Sequence, residues 1–204
     1  MDIVDFLVRN GYLKTPRIIQ AFRKIKREDF VPSSLKDLAQ VNKPLPIGFE
    51  QTISQPLTVA FMLELLQPQE KDKVLDVGAG SGWVSALLSE IVGPKGKVFA
   101  VERIPELKNF GENNLRKYDF IESGRVKFIL GDGSKGLLEE SPFNCIHVGA
   151  AAEEIPPELK KQLAIGGRMV VPVKQDIVFL KKKKEDKFEE KSFSGFVFVP
   201  LITH

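Results

Sequence analysis

Apolar positions divide the chain into two textures. Up to about residue 42 the spacing is helical. Ile3, Val4, Phe6, Leu7 and Val8 crowd one side of a first short helix that ends near Asn10-Gly11, a helix-stop pair. Thr15-Pro16 supplies an N-cap followed by proline at the first helical position, and Ile18, Ile19, Phe22 and Ile25 keep the helical period until Arg27 to Pro32 breaks it. Residues 42–56 read as a loop punctuated by Pro44, Pro46, Gly48 and Pro56. A helix is predicted from Pro56 to about Leu66, with Val59, Met62, Leu63 and Leu66 facing inward.

From Lys73 onward short apolar runs alternate with longer helical patterns, the signature of βαβ units around a parallel sheet. Strands are predicted at Val74 to Val77, Val98 to Val101, Val126 to Leu130, Cys145 to Val148 and Met169 to Val173. Helices are predicted at Gly82 to Val92, Ile104 to Tyr118 and Pro157 to Leu163. Two further strands, Ile177 to Lys181 and Phe193 to Val199, are joined by a short charged connection and form an antiparallel hairpin. The expected fold is α/β, a three-layer Rossmann-like sheet, mostly parallel with a C-terminal antiparallel hairpin, preceded by a helical segment. One domain is expected over residues 1–204, with 1–56 as a helical covering segment and 57–204 as the α/β core.

Composition narrows the class. A chain of 204 residues with 43% hydrophobic and 28% charged positions buries a full core without covalent staples. A net charge of +3 does not call for a nucleic-acid partner, and the run Lys181 to Lys184 is answered by Glu185, Asp186, Glu189 and Glu190, as on a solvated hairpin. The single cysteine, Cys145, lies among apolar neighbours and reads as a small buried hydrophobe. With no disulfide possible within the chain, no signal peptide pattern around Asp2 and Asp5 and no long apolar stretch, the expectation is a cytoplasmic protein that does not meet a membrane.

The chemistry starts at Asp76-Val77-Gly78-Ala79-Gly80-Ser81-Gly82, which follows a predicted strand and opens a predicted helix. Glycines there let the backbone turn and approach a ligand, and the helix start offers free N–H groups. Glu102 ends the next strand 20 residues after Gly82, placed to accept both hydroxyls of a ribose. The plain alternative is a tight strand-to-helix turn with no ligand. A dinucleotide loop wants Gly-x-Gly-x-x-Gly; Gly-x-Gly-x-Gly led by Asp76 suits S-adenosylmethionine, whose amino and sulfonium groups favour a nearby acid. Gly131-Asp132-Gly133, after the third strand, adds an acceptor for an adenine amino group.

Three stretches resemble the protein-L-isoaspartate(D-aspartate) O-methyltransferase family: Ile47 to Pro56, Asp76 to Gly82, and Ile146-His147-Val148-Gly149-Ala150-Ala151-Ala152. Gln162 to Arg168 and Phe198-Val199-Pro200-Leu201 are similar to flanking family segments, so the likeness runs from about residue 6 to 202. The glycine loop is common to many methyltransferases, whereas Gln51-Thr52-Ile53-Ser54-Gln55-Pro56 is far more specific. The resemblance implies methyl transfer from S-adenosyl-L-methionine to the α-carboxylate of L-isoaspartyl residues in damaged proteins and peptides, leaving S-adenosyl-L-homocysteine. It implies Ser54 as the active-site serine, orienting the substrate carboxylate. Gln51, Thr52, Ile53, Asp76, Gly78, Gly80, Gly82, Glu102, Arg103, Asp132 and Gly133 are expected around the cofactor, and Leu57, Val199 and Pro200 beside the peptide. A monomer without a bound metal is expected. The alternatives are a methyltransferase for another acceptor and a non-catalytic relative that binds the same cofactor. From the residues alone, Ser54 reads as a helix N-cap before Pro56.

Two departures stand out. Leu57 occupies a position where many relatives carry histidine, and Lys174-Gln175-Asp176 replaces a glycine-containing turn. Base amino-methylation is disfavoured because Val148 to Ala152 stands where an Asn/Asp-Pro-Pro-aromatic motif belongs. Hydrolase and phosphate-loop signatures (Gly-x-Ser-x-Gly, His-Glu-x-x-His, Gly-x-x-x-x-Gly-Lys-Ser/Thr) are missing. Only two histidines are present, His147 and His204.

Overall fold

A computed structural model describes residues 2–203; His204 lies outside them. Helix α1 (Ile3–Arg9) starts at Asp2, whose side chain accepts a 2.7 Å hydrogen bond from the Val4 N–H. Helix α2 (Pro16–Lys24) starts on the expected Thr15-Pro16 pair, but the Thr15 hydroxyl donates to Glu64 instead of capping its own helix. Two 3-10 turns follow, Arg27–Phe30 and Ser33–Leu38.

Part of the expected 42–56 loop is a hairpin. Strand β1 (Leu45–Gly48) pairs antiparallel with β2 (Gln51–Ile53). Its turn residues Phe49 and Glu50 both have left-handed backbone, at φ 53° and 57°. That is the conformation a two-residue hairpin needs, reached without the Asn-Gly pair that usually signals it. Helix α3 (Pro56–Leu66) then runs over the predicted span and buries Val59, Met62, Leu63 and Leu66.

The sheet has seven strands: β3 (Lys73–Val77), β4 (Lys97–Glu102), β5 (Val126–Leu130), β6 (Phe143–Val148), β7 (Leu163–Val173), β8 (Asp176–Lys184) and β9 (Lys187–Ser194). Their order is β5-β4-β3-β6-β7-β8-β9, parallel as far as β7 and antiparallel for β7–β8 and β8–β9. Helices α4 (Trp83–Val92), α5 (Pro105–Arg116) and α6 (Pro157–Gln162) connect the parallel strands. Alternate strand residues serve opposite faces. Val74, Val98, Ala100, Cys145 and Val170 join the core beneath α1 to α5, whereas Leu75, Val77, Phe99, Val101, Ile146 and Met169 join a second core with Leu159 of α6. The strand order reverses at β3, with β4 on one side and β6 on the other, so the crevice beyond their carboxyl ends is the ligand position of such a sheet.

Three expectations need correction. The last strand is Lys187–Ser194, not Phe193 to Val199; Gly195, at φ 100°, ends the ladder, and beyond it the chain holds on through single contacts. Ala151 donates to the Val199 carbonyl at 2.8 Å and accepts from Leu201 at 2.7 Å. Strand β7 starts at Leu163, ahead of Met169, with a register shift opposite Phe143/Cys145. Lys182, placed in a solvated run, is buried and pairs with Glu185 at 3.0 Å. Among the described residues no helix is long and apolar enough to cross a membrane.

Candidate active site

Asp76 and His147 are register partners on β3 and β6, and Asp76 shares its face of the sheet with Glu102 at the end of β4. Asp76 is fully buried. One carboxylate oxygen lies 2.7 Å from His147 Nδ1, and the other accepts from the Ser85 hydroxyl in the first turn of α4. The pair therefore fixes the helix start against the central strands, and His147 contributes to the cavity wall.

After β3 the chain turns through Gly78, Gly80 and Gly82, all left-handed, at φ 73°, 53° and 82°. Side chains are disfavoured in that region, so the turn needs glycine. Glu102, 5% exposed, is held by three backbone donors: Gly80 N–H at 2.9 Å on one oxygen, Arg103 and Ile104 N–H at 2.8 and 2.9 Å on the other. Such bonds set the carboxylate's direction without using a side-chain cation. Helix α5 approaches this turn closely: a Cβ on Gly111 would stand 2.6 Å from the Gly80 carbonyl oxygen.

These elements enclose a cavity of about 890 Å³, counting its mouth. Of the residues expected at the cofactor, Gln51, Thr52, Ile53, Asp76, Gly78, Gly80, Glu102, Arg103 and Gly133 line it. Gly82 and Asp132 are not part of that lining. Gly82 packs under Gly111 and Leu115, and Asp132 turns back to accept from the Ser134 N–H and hydroxyl, at 3.0 and 2.6 Å. The donor set suits a nucleoside: a bare backbone cradle at one end and a held carboxylate at the other. A Cβ at Gly149 would stand 2.9 Å from the Gly78 oxygen, so the floor of the cradle tolerates no side chain there.

A second groove opens on the far side of Ser54. Leu57, Thr58, Phe196, Val197 and Phe198 line it, and no charged side chain does. Thr52, Ser54, Gly149 and Val199 belong to both spaces, so the two meet at that window; Pro200 lines the cofactor side. The groove walls are held by side chains reaching to backbone. Asn42 Oδ1 accepts from the Leu57 N–H at 3.0 Å, Gln55 donates to the Asn42 carbonyl at 3.1 Å, and Arg27 donates to the Ser54 carbonyl at 3.1 Å. Gln55, not Ser54, occupies the N-cap position of helix α3, and no side chain caps it.

The sequence reading did not single out Arg27 or the Asp76–His147 pair. The one available signal was parity, since His147 and Asp76 occupy equivalent places in neighbouring strands. Cys145 is buried, with its thiol pushed up first by desolvation and then by Asp72, which keeps it protonated and unreactive. No cluster of His, Cys, Asp and Glu suited to a metal occurs among the described residues.

Strand order, glycine turn and the acid at the second strand's end together define a class I, S-adenosyl-L-methionine-dependent methyltransferase. A Plasmodium falciparum crystal structure solved with S-adenosyl-L-homocysteine has the same fold, with a TM-score of 0.87 over 98% of this chain and 96% of that one at 23% identity. A second solved structure, a protein-L-isoaspartate O-methyltransferase, gives 0.85 over 97% of this chain and 64% of the other at 28% identity. Proteins of the same description from Methanopyrus kandleri and Aeropyrum pernix are 44% and 45% identical, covering 98% and 99% of this chain and 89% and 78% of their own. Residues 1–204 match the family model for protein-L-isoaspartate(D-aspartate) O-methyltransferase, and the chain belongs to that family.

Proposed function

We propose that this protein transfers a methyl group from S-adenosyl-L-methionine to the α-carboxylate of L-isoaspartyl residues in damaged proteins and peptides. The observation that carries the reading is the window at Thr52, Ser54, Gly149 and Val199, through which the cavity at the glycine turn and Glu102 meets a groove with no charged side chain. Glu102 accepts the ribose hydroxyls, and the Gly78–Gly80 turn cradles the amino-acid end. The bound cofactor supplies an electrophilic methyl on a sulfonium.

The acceptor carboxylate is ionised at pH 7, so attack needs no general base. The protein's task is alignment and exclusion of water. The Ser54 hydroxyl donates to the acceptor carboxylate and turns one oxygen toward the methyl. The β1–β2 hairpin covers the cofactor through Ile47, Thr52 and Ile53. Leu57 borders the peptide on one side and Val199 on the other, with Pro200 behind Val199 on the cofactor side. Residue 197 is 91% exposed and stands outside any ladder, which suits backbone pairing with a peptide of arbitrary sequence. The chain works as a cytoplasmic monomer on protein substrates and not on nucleic acid; its one cysteine is buried and its basic run is answered by acids.

The test is labelled methyl transfer to an isoaspartyl peptide, with the matched aspartyl peptide as control. A base-labile ester on the isoaspartyl peptide alone is expected. Label on neither peptide, with S-adenosyl-L-homocysteine still bound, would move the reading to another acceptor.

A further inference from the structure

Arg27 opens the 3-10 turn after α2, and its side chain is 3% exposed. No carboxylate lies within ion-pair distance among the described residues; its hydrogen-bond partners are backbone carbonyls. Nη1 donates to Ala39 at 3.0 Å and Val41 at 3.3 Å, and Nη2 donates to Lys43 at 2.8 Å and Ser54 at 3.1 Å. Lys43 and Ser54 are the two feet of the β1–β2 hairpin, so one nitrogen holds both. The guanidinium also lies 5.3 Å from the ring centre of Trp83, the first residue of α4 and part of the cofactor cavity wall.

A buried cation without a counter-charge is a costly way to fill space, and an apolar side chain would avoid that cost. Burial lowers the guanidinium to about 10, which leaves it charged at neutral pH, and its Nε has no hydrogen-bond partner. What the planar fork adds is direction: several acceptors fixed at once, which a lysine ammonium on a flexible stem cannot reproduce. The hairpin needs such help. Its strands have four and three residues, and a two-stranded hairpin of that size does not hold itself in water.

We propose that Arg27 is a positioning residue for methyl transfer: it clasps the feet of the hairpin and thereby fixes the Ser54 hydroxyl and the hairpin roof against the cofactor wall at Trp83. The role rests on the reaction proposed above. Arg27 touches neither reactant. A loosened clasp lets Ser54 wander while the glycine turn and Glu102, held by the sheet, stay in place. Turnover therefore falls much further than cofactor affinity.

The experiment compares wild type with Arg27→Met and Arg27→Lys at a temperature where each is folded. It measures kcat and KM for the isoaspartyl peptide and the Kd for S-adenosyl-L-homocysteine. Expected for Arg27→Met is a kcat lower by roughly 10- to 100-fold, since misplacement of about 1 Å costs that much, with the Kd within about threefold. Arg27→Lys recovers thermal stability in part and kcat little. An unchanged kcat per folded Arg27→Met molecule, with only the melting temperature lowered, would reduce Arg27 to a stability element. If Arg27→Met does not fold, hydrogen exchange of Arg27→Lys decides: faster exchange confined to residues 43–54 supports the clasp, and unchanged exchange there overturns it. A wild type that binds the cofactor but leaves the isoaspartyl peptide unmethylated removes the proposed reaction and this role with it. A wild type that turns over alongside equally active variants removes only the role.

Discussion

Around Asp76 and Glu102 the cavity wall is the end of a seven-stranded sheet, while around Ser54 and Val199 it is chain outside that sheet. On the first side each position is set by strand register and by backbone N–H groups converging on one carboxylate. On the second, a few residues of Arg, Asn and Gln tie loops to one another, and a single bridge from Ala151 to Pro200 docks the C-terminal segment. The difference separates binding from turnover. The cofactor half is rigid by construction. The acceptor half is adjustable, which suits a site that must admit many protein surfaces, and it is the more easily disturbed by one substitution.

The sharpest way to break this comparison is at Glu102. In the proposed binding mode Glu102→Ala would remove acceptors for both ribose hydroxyls, two charge-assisted bonds together worth about 3 kcal/mol, so the Kd for S-adenosyl-L-homocysteine should rise about 100-fold by calorimetry. A shift below threefold would show that the nucleoside lies elsewhere. Ser54→Ala should act on the other half alone, with kcat/KM for the isoaspartyl peptide lower by about 10- to 100-fold through one lost bond to a charged group. Cofactor affinity should stay the same; a matching loss there would merge the two halves into one. Val199→Trp narrows the groove and should raise the peptide KM roughly fivefold, about 1 kcal/mol, with kcat little changed.

The smallest effect lies at the start of β8, where Asp176 pairs with Ser194. Hydroxyls of Ser194 and Ser192 hold the Asp176 carboxyl below its usual 3.8. A folded value lowered in this way contributes stability that is complete above 3.8 and disappears as pH falls through the folded value. Melting curves of wild type and Asp176→Asn should therefore stay apart above 3.8 and converge as pH falls below it. Curves that stay parallel would mean the hydroxyl bonds do not discriminate the ionised form.

The two halves were unequally legible in the sequence. The Asp76 to Gly82 turn and the Pro56–Leu66 helix could be read because their signals are local: glycine after an apolar run, and proline before a helical period. The hairpin tip was hidden because Phe49 and Glu50 take a conformation their side chains disfavour. The last strand was displaced for a different reason. Phe193 to Val199 carries more apolar side chains, but a sheet edge forms through backbone bonds and favours charges, so Lys187 to Ser194 pairs instead. The Arg27 clasp and the Asp76–His147 pair are long-range contacts, and no window of sequence contains them.

The close approach of α5 to the glycine turn has a consequence for anyone engineering heat tolerance. Replacing a mid-helix glycine by alanine is a standard stabilising move, with a gain of about 1 kcal/mol in an open helix. At Gly111 the move reverses. The new methyl would press on the Gly80 backbone at 2.6 Å and on the Phe128 ring at 2.9 Å, the first tied to Glu102 and the second part of the core. Helix α5 would have to retreat from the turn that Glu102 holds. Better sites for stabilisation lie on helix faces away from this seam.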